Sequence, residues 1–273
     1  MEEKLQQILN EFKENEGNLT ILTGAGISVE SGIPTFRGAD GYWTVGSVNY
    51  QFQQIGTFTF FEDKPLESWK WFLYRKGVCG RSKPNLGHMA VVDFEKHLQD
   101  RFRLITQNVD GLHLLAGNSE EKTFQVHGNI NQMRCSKECS YDIYDIPDKV
   151  QVPDRNASLT DEMIKLLCCP KCKAMTRPHV LWWDESYNEH HFRIHSTRAW
   201  VDQTDLLITV GTSASANVAC TTVYQVKDNG GSLIDINPAY SPLGDIAKHS
   251  HSGTQCTGTS SEYLPIIRDF LLS

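Results

Sequence analysis

Four cysteines stand at the spacing of a metal site. Cys135 and Cys139 have three residues between them, Cys169 and Cys172 have two, and residues 140–168 separate the pairs. Thiolates presented from two such turns can close a tetrahedron around one zinc ion, and four sulfur ligands leave no place for water, so the site is structural. Cys168 adjoins Cys169 and competes with it as a ligand on spacing alone. Cys79, Cys220 and Cys256 have no partner at metal spacing and read as small buried hydrophobes. His191 and His195 are four apart with Glu185 and Glu189 nearby. They lack a strong third ligand, and a solvated helix face is expected there. A different chemistry begins at Gly24-Ala25-Gly26, directly after the apolar run Leu19–Leu22. Two glycines two residues apart after a strand let backbone amides turn tightly toward a phosphate, although Val29 stands where the full dinucleotide fingerprint has a third small residue. His127 lies between an apolar run and Gly128, where a loop-borne imidazole meets a ligand. With an ordinary pKa near ~6.5, it suits proton transfer at neutral pH.

The elements that must position these groups alternate. Glu2–Phe12 has the apolar spacing of a helix, Leu19–Leu22 reads as a buried strand, and Ile27-Ser28 opens a helix. Ala39-Asp40-Gly41-Tyr42-Trp43 is turn-rich and reads as a loop over a ligand. Pro65–Lys76 is a helix with proline in its first turn, and Asn85–Leu98 a second. Phe102–Thr106 is a strand delivering Gln107, Asn108 and Asp110 to its C-terminal end, where open α/β sheets bind ligands. Thr123–Val126 repeats the arrangement and ends at His127. From Asn131 to about Pro178, cysteine, charge and proline mark an inserted module. Beyond it come Val180–Trp183, a polar helical stretch, a strand over Asp205–Val210, a helix over Ser215–Lys227, a strand over Leu233–Ile236 and a helix over Tyr263–Leu272. This alternation predicts a parallel, doubly wound α/β sheet.

At 273 residues the chain can bury a sizeable core, and 40% apolar with 22% charged residues describes an ordinary soluble protein. A net charge of −7 argues against a general nucleic-acid binder. No run approaches a membrane span, and the first residues begin no secretory signal. Cysteines in paired metal spacings suit a reducing compartment, so a cytoplasmic protein is expected, with the nucleus as the alternative.

Thr23–Gly38, with Ser31-Gly32-Ile33-Pro34-Thr35-Phe36-Arg37-Gly38 following the glycine turn, closely resembles the signature of the sirtuins, the NAD-dependent protein deacylases. Gln107-Asn108-Val109-Asp110-Gly111, His127-Gly128, the four cysteines and Gly211-Thr212-Ser213 extend the resemblance from about Leu19 to Pro265. It implies one catalytic domain: a Rossmann-like NAD-binding part (about 1–38, 82–130 and 180–273), with a helical module (39–81) and a zinc module (131–179) inserted. It also implies a reaction. The carbonyl oxygen of an acylated lysine attacks the anomeric carbon of the nicotinamide ribose, nicotinamide leaves, and His127 deprotonates the ribose hydroxyls so that one takes up the acyl group. By resemblance Asn108 holds ribose or an ordered water, Gln107 reaches the ribose, and Asp110 with the Val109 backbone holds the carboxamide. Phe36 shields the reacting carbon and Arg37 orders the cofactor loop. Gly24, Ala25 and Gly26 line the pyrophosphate, with Gly211, Thr212 and Ser213 close by and Asn237 on the adenosine ribose. The usual Cys-Pro-x-Cys favours Cys169 over Cys168.

The sequence departs from the family in its second half. No proline follows Gly211-Thr212-Ser213, and the usual Trp-Phe-Gly-Glu reads Trp182-Trp183-Asp184-Glu185. That segment, with Val180, normally pairs with an acylated peptide, so the peptide preference is the property affected. The desuccinylase-like sirtuins grip an acidic acyl group with Tyr-x-x-Arg; here Phe72 replaces the tyrosine and Arg75 is kept. Three residues apart on a helix, the two face the same way. The working expectation is a deacetylase, with desuccinylase or demalonylase preference, or an NAD glycohydrolase or ADP-ribosyltransferase, as alternatives. No direct nucleic-acid or membrane partner is expected.

Overall fold

The computed structural model describes residues 2–33, 42–45, 48–154 and 157–273. Its largest element is a six-stranded sheet, all parallel, built from β1 (Leu19–Thr23), β4 (Phe102–Thr106), β5 (Thr123–Gln125), β9 (Leu206–Val210), β10 (Ser232–Asn237) and β11 (Gly253–Thr257). The spatial order is β11-β10-β9-β1-β4-β5. The chain therefore builds outward from β1 on one side, returns, and builds outward from β9 on the other. The order reverses between β1 and β9, which pair from Leu19↔Leu206 to Thr23↔Val210.

Both faces of this sheet are covered, which explains why its strands read as continuous apolar runs. On one face Leu19, Ile21, Leu104 and Ile208 pack under α1 (Glu3–Asn15), α5 (Leu86–Leu98) and α12 (Ser260–Leu272), through Leu9, Phe94 and Leu264 among others. On the other, Leu22, Ile105 and Leu207 meet α9 (Ile194–Val201), α10 (Asn217–Asp228) and α11 (Pro242–Lys248), through Val201, Val223 and Leu243. The expected helices and strands of this part form within a few residues of their expected bounds. Ala25–Ser31 is a 3-10 turn rather than an α-helix.

The remaining elements share a second core. A three-stranded antiparallel sheet joins β7 (Ile143–Asp145), β6 (Gly128–Cys135) and β8 (Thr176–Val180) in that order, with α7 (Asp161–Leu166) on the connection. The helices α2 (Phe52–Ile55), α3 (Phe58–Asp63) and α4 (Pro65–Gly80) pack against it: Phe61, Trp69, Phe72, Ile130, Met133, Val180 and Trp182 form one buried cluster. Trp69 Nε1 donates to the Thr176 carbonyl at 2.8 Å, tying α4 to β8. Helical and zinc modules are thus one packed body. Of the expected loop Ala39–Trp43, Ala39, Asp40 and Gly41 lie outside the described residues, and Tyr42 and Trp43 correct the remainder: they lie in β2 (Tyr42–Val45), which pairs antiparallel with β3 (Val48–Gln51).

Candidate functional site

The C-terminal ends of β1 and β9 meet at the reversal point of the sheet, and three glycines make the meeting possible. Gly24 N donates to Val210 O at 2.9 Å and Gly26 N to Gly211 O at 2.8 Å. A Cβ on Gly26 would lie 2.6 Å from Gly211 Cα, and Gly211 itself has φ +58, where glycine costs least. The glycines were expected to face a phosphate with their amides. Instead, the two glycine amides join the turns, and Ala25 between them has no amide partner among the described residues. Phe36 and Arg37 lie outside the described residues.

Residues 107–110 leave β4 toward the same point. Gln107 N donates to Thr23 O at 3.0 Å, and its side-chain Nε2 donates to Thr212 Oγ1 at 3.0 Å. Asn108 is buried; its Nδ2 donates to Gly24 O at 3.1 Å and to Ser28 Oγ at 3.2 Å. Ser28 Oγ in turn donates to Asp110 Oδ2 at 2.7 Å, and Leu112 N donates to Oδ1 at 2.9 Å. Burial raises the Asp110 pKa, against the pull of those two hydrogen bonds and of the Arg75 charge. Val109 O accepts from Ile130 N at 2.8 Å, fixing the backbone between the two polar side chains. Ser28 had been read only as part of a helix start, yet it links Asn108 to Asp110. Further along, Ser213 Oγ lies 3.0 Å from Ser215 Oγ, and Asn237 Nδ2 donates to Asp235 Oδ1 at 3.1 Å.

His127 joins this group from the end of β5. Its Nδ1 lies 2.9 Å from the Gln107 carbonyl, and its Nε2 lies 2.9 Å from Tyr187 Oη. A carbonyl only accepts, so Nδ1 carries the proton and Nε2 presents its lone pair to the phenol. Burial pushes the His127 pKa down to about 4, only partly offset by the Gln107 bond, so the ring is a neutral base at pH 7. Tyr187 escaped the sequence reading altogether, since the contact joins residues far apart in the chain.

A wall of aromatic rings gathers around Trp182. The Trp182 ring lies 5.4 Å from that of Phe61 and 6.1 Å from that of Phe72, and the Arg177 guanidinium sits 3.5 Å above it. Glu185 grips Arg177 through both carboxylate oxygens and accepts from Trp182 N at 2.9 Å. Burial would raise the Glu185 pKa, but the Arg177 contact outweighs it and the carboxyl is held below its usual range. Val180 is buried and paired with Gly128, while Trp183 is 54% exposed. The N–H groups of Leu181 and Trp183 donate to His127 O and Gly56 O, both at 2.9 Å. Those donors are therefore occupied. Phe72 and Arg75 share the buried side of α4, so Arg75 is not a solvent-facing surface residue.

The four cysteines come together as expected. Their sulfurs all lie within 4.8 Å of one another, with Cys135–Cys172 at 3.5 Å and Cys139–Cys169 at 3.6 Å. A zinc tetrahedron with bonds near ~2.3 Å has sulfur–sulfur edges near ~3.8 Å, so the set fits one zinc ion. Cys168 is not part of it, because its thiol points to the Ile164 carbonyl at 3.4 Å. All eight cysteines are free. His195 is exposed as expected, but His191 corrects the solvated-face reading: it is buried, its ring 5.9 Å from both Tyr141 and His179. Cys79 and Cys256 are buried, whereas Cys220 is half-buried.

A parallel sheet with glycine turns touching at its reversal point, polar side chains gathered there and a four-thiolate module alongside defines a dinucleotide-binding enzyme class. The model of the Sir2 family matches residues 24–218, and the chain belongs to that family. An NAD-dependent protein deacylase of Leptospira interrogans serovar Lai is 34% identical over 268 residues, covering 98% of each chain. One from Archaeoglobus fulgidus is 34% identical over 255 residues, 93% of each. Among solved structures, a Sir2 homologue in complex with NAD superposes with TM-score 0.80 at 31% identity, covering 100% of this chain and 94% of that one. A Sir2 homologue mutant in complex with 2'-O-acetyl ADP ribose gives 0.78 at 31% identity, covering 100% and 97%.

Proposed function

We propose that this protein is an NAD-dependent protein-lysine deacylase that moves the acyl group of an acyl-lysine to ADP-ribose and releases nicotinamide. The observation that carries the reading is the placement of Asn108 and of a neutral His127 with a defined tautomer at the reversal point of the sheet. NAD supplies an activated anomeric carbon with nicotinamide as leaving group, and a ribose hydroxyl as acyl acceptor. Around it the chain positions rather than attacks, as glycosidic cleavage through a cationic centre requires. Gly24, Ala25, Gly26, Gly211, Thr212 and Ser213 form the pyrophosphate wall, and Asn237 takes the adenosine ribose. Gln107 and Asn108 hold the nicotinamide ribose; Asp110 and the Val109 backbone take the carboxamide. Phe36 would shield the reacting carbon, and Arg37 would help order the cofactor loop. His127 accepts a ribose hydroxyl proton after nicotinamide has left, and its Nδ1–H bond to Gln107 O steadies the imidazolium that results.

The acyl-lysine lies against Phe72, Val180, Trp182 and Trp183. Arg75 is the buried cation of α4 beside Phe72, and its charge already acts on Asp110. Acetyl and other neutral acyl groups are therefore the working substrate class, and succinyl or malonyl the alternative. An acylated protein is the partner, and the free thiols suit a reducing, cytoplasmic compartment. Incubation with NAD, with and without an acyl-lysine peptide, tests the reading. Nicotinamide release that needs the peptide supports it; release without peptide means a glycohydrolase, and no release means a binding protein.

A further inference from the structure

We infer that Tyr187 is the relay through which His127 receives the ribose proton, an inference that rests on the deacylase reading. The phenol oxygen lies 2.9 Å from His127 Nε2, the ring nitrogen left with a lone pair by the Nδ1–H bond to Gln107 O. A hydroxyl that is to lose its proton to this base must therefore displace Tyr187 or pass the proton through it. The surroundings favour passage. Tyr187 packs against the buried cluster of Leu22, Ile105, Phe124 and Val126, and its ring lies 5.9 Å from that of His127 at 29°. Its backbone is pinned on both sides. Glu185 is gripped by Arg177 two residues before it, and Asn188, the next residue, caps α8 (Glu189–Phe192) by accepting from His191 N at 2.8 Å. Burial pushes the phenol pKa up to about 12, so Tyr187 is protonated at pH 7 and donates to the imidazole.

The protons balance. The ribose hydroxyl gives its proton to Tyr187 Oη as Tyr187 gives its own to His127 Nε2. The phenol is regenerated and the imidazolium keeps its bond to Gln107 O; as the ribose oxygen bonds to the acyl carbon, the π pair of that carbon's bond to the lysine nitrogen moves onto the nitrogen. No oxidant or further reactant is needed.

Tyr187→Phe keeps the ring and removes only the relay oxygen. Two readouts separate the relay from a packing role. Exchange of free nicotinamide into NAD in the presence of acyl-peptide reports the step before the base acts, and it should persist. Formation of O-acyl-ADP-ribose should fall ~10²-fold or more, the scale of losing a general base. Independently of turnover, the ¹⁵N signal of His127 Nε2 in the protein without NAD should move toward that of an unbonded imine nitrogen in Tyr187→Phe. Product formation within a few-fold of wild type, with exchange retained, overturns the relay and leaves the deacylase reading standing. An unmoved Nε2 signal overturns the hydrogen bond on which it depends. Wild-type protein that releases no nicotinamide with acyl-peptide overturns the deacylase reading, and the relay with it.

Discussion

At the scale of single residues, the site works by fixing what each polar atom is free to do. His127 has one nitrogen committed to Gln107 O, so a single lone pair is available as base. Replacing it with alanine should lower O-acyl-ADP-ribose formation ~10²–10⁴-fold while NAD binding, measured by calorimetry, persists, because the base acts after the cofactor is seated. Unchanged deacylation in His127→Ala would contradict the mechanism. Gly26 makes the opposite prediction. A Cβ there meets Gly211 Cα at 2.6 Å, so Gly26→Ala must separate the two turns. It should weaken NAD binding and also lower the melting temperature, whereas tight binding with an unshifted melting curve would mean that the turns are not held together as described. Much of this is legible in the chain: the polar group 107–110, His127 and the four cysteines stand out by type and spacing alone. Ser28 and Tyr187 do not, since a serine in a helix start and a tyrosine in a polar stretch carry no local pattern. Each acquires meaning only from a partner brought to it by the fold.

At the scale of elements, legibility followed hydrophobicity. β1, β4, β9 and β10 are apolar runs buried on both faces, and their positions could be read directly. β11 reads Gly-Thr-Gln-Cys-Thr and β6 is rich in asparagine and other polar residues, so neither carries a strand pattern of its own. Both are strands because neighbours supply the burial and the ladder, α1 and α11 over β11, α4 against β6. A zinc ion held by the four cysteines would brace this module, since α7 has no fully buried residue and β7 is largely exposed. Purified protein should carry about one equivalent of zinc, and Cys→Ala at Cys135, Cys139, Cys169 or Cys172 should cost both zinc and folded yield. Cys168→Ala should retain the zinc, because its thiol faces Ile164 O. Loss of zinc from that variant alone would reassign the ligand. On α4, Arg75→Met tests acyl preference: if Arg75 lines the acyl pocket, the succinyl-to-acetyl ratio of kcat/KM should fall. A guanidinium–carboxylate bond of about 1.5–3 kcal/mol corresponds to roughly a ten- to hundredfold drop. An unchanged ratio removes Arg75 from the acyl pocket.

At the scale of the whole molecule, the active-site turn rests on buried histidines that must stay neutral. The His88 and His113 rings lie 4.8 Å apart, tilted by 54°, and His113 Nε2 lies 3.1 Å from Thr23 Oγ1 at the end of β1. Burial pushes His88 down to about 4, and burial together with the neighbouring His88 holds His113 well below its usual range. The unfolded chain takes up these protons near pH ~6.5 and the folded one does not, so their stabilising effect is complete above that pH and is lost as pH falls toward about 4. The melting temperature should therefore drop across this window, with the His88 and His113 ring signals not titrating near pH ~6.5 in the folded protein. Ring signals titrating near pH ~6.5 would show the pair to be solvated. The same fold brings the base to the reversal point of the sheet, where Asn108 and the glycine turns meet. The most direct measurement of acyl transfer to ADP-ribose follows a peptide labelled on the acyl carbon of its acetyl-lysine through one turnover with NAD. Label should appear on ADP-ribose in equal amount to the nicotinamide released. Label recovered as free acetate from the outset, or nicotinamide released while the label stays on lysine, would contradict it.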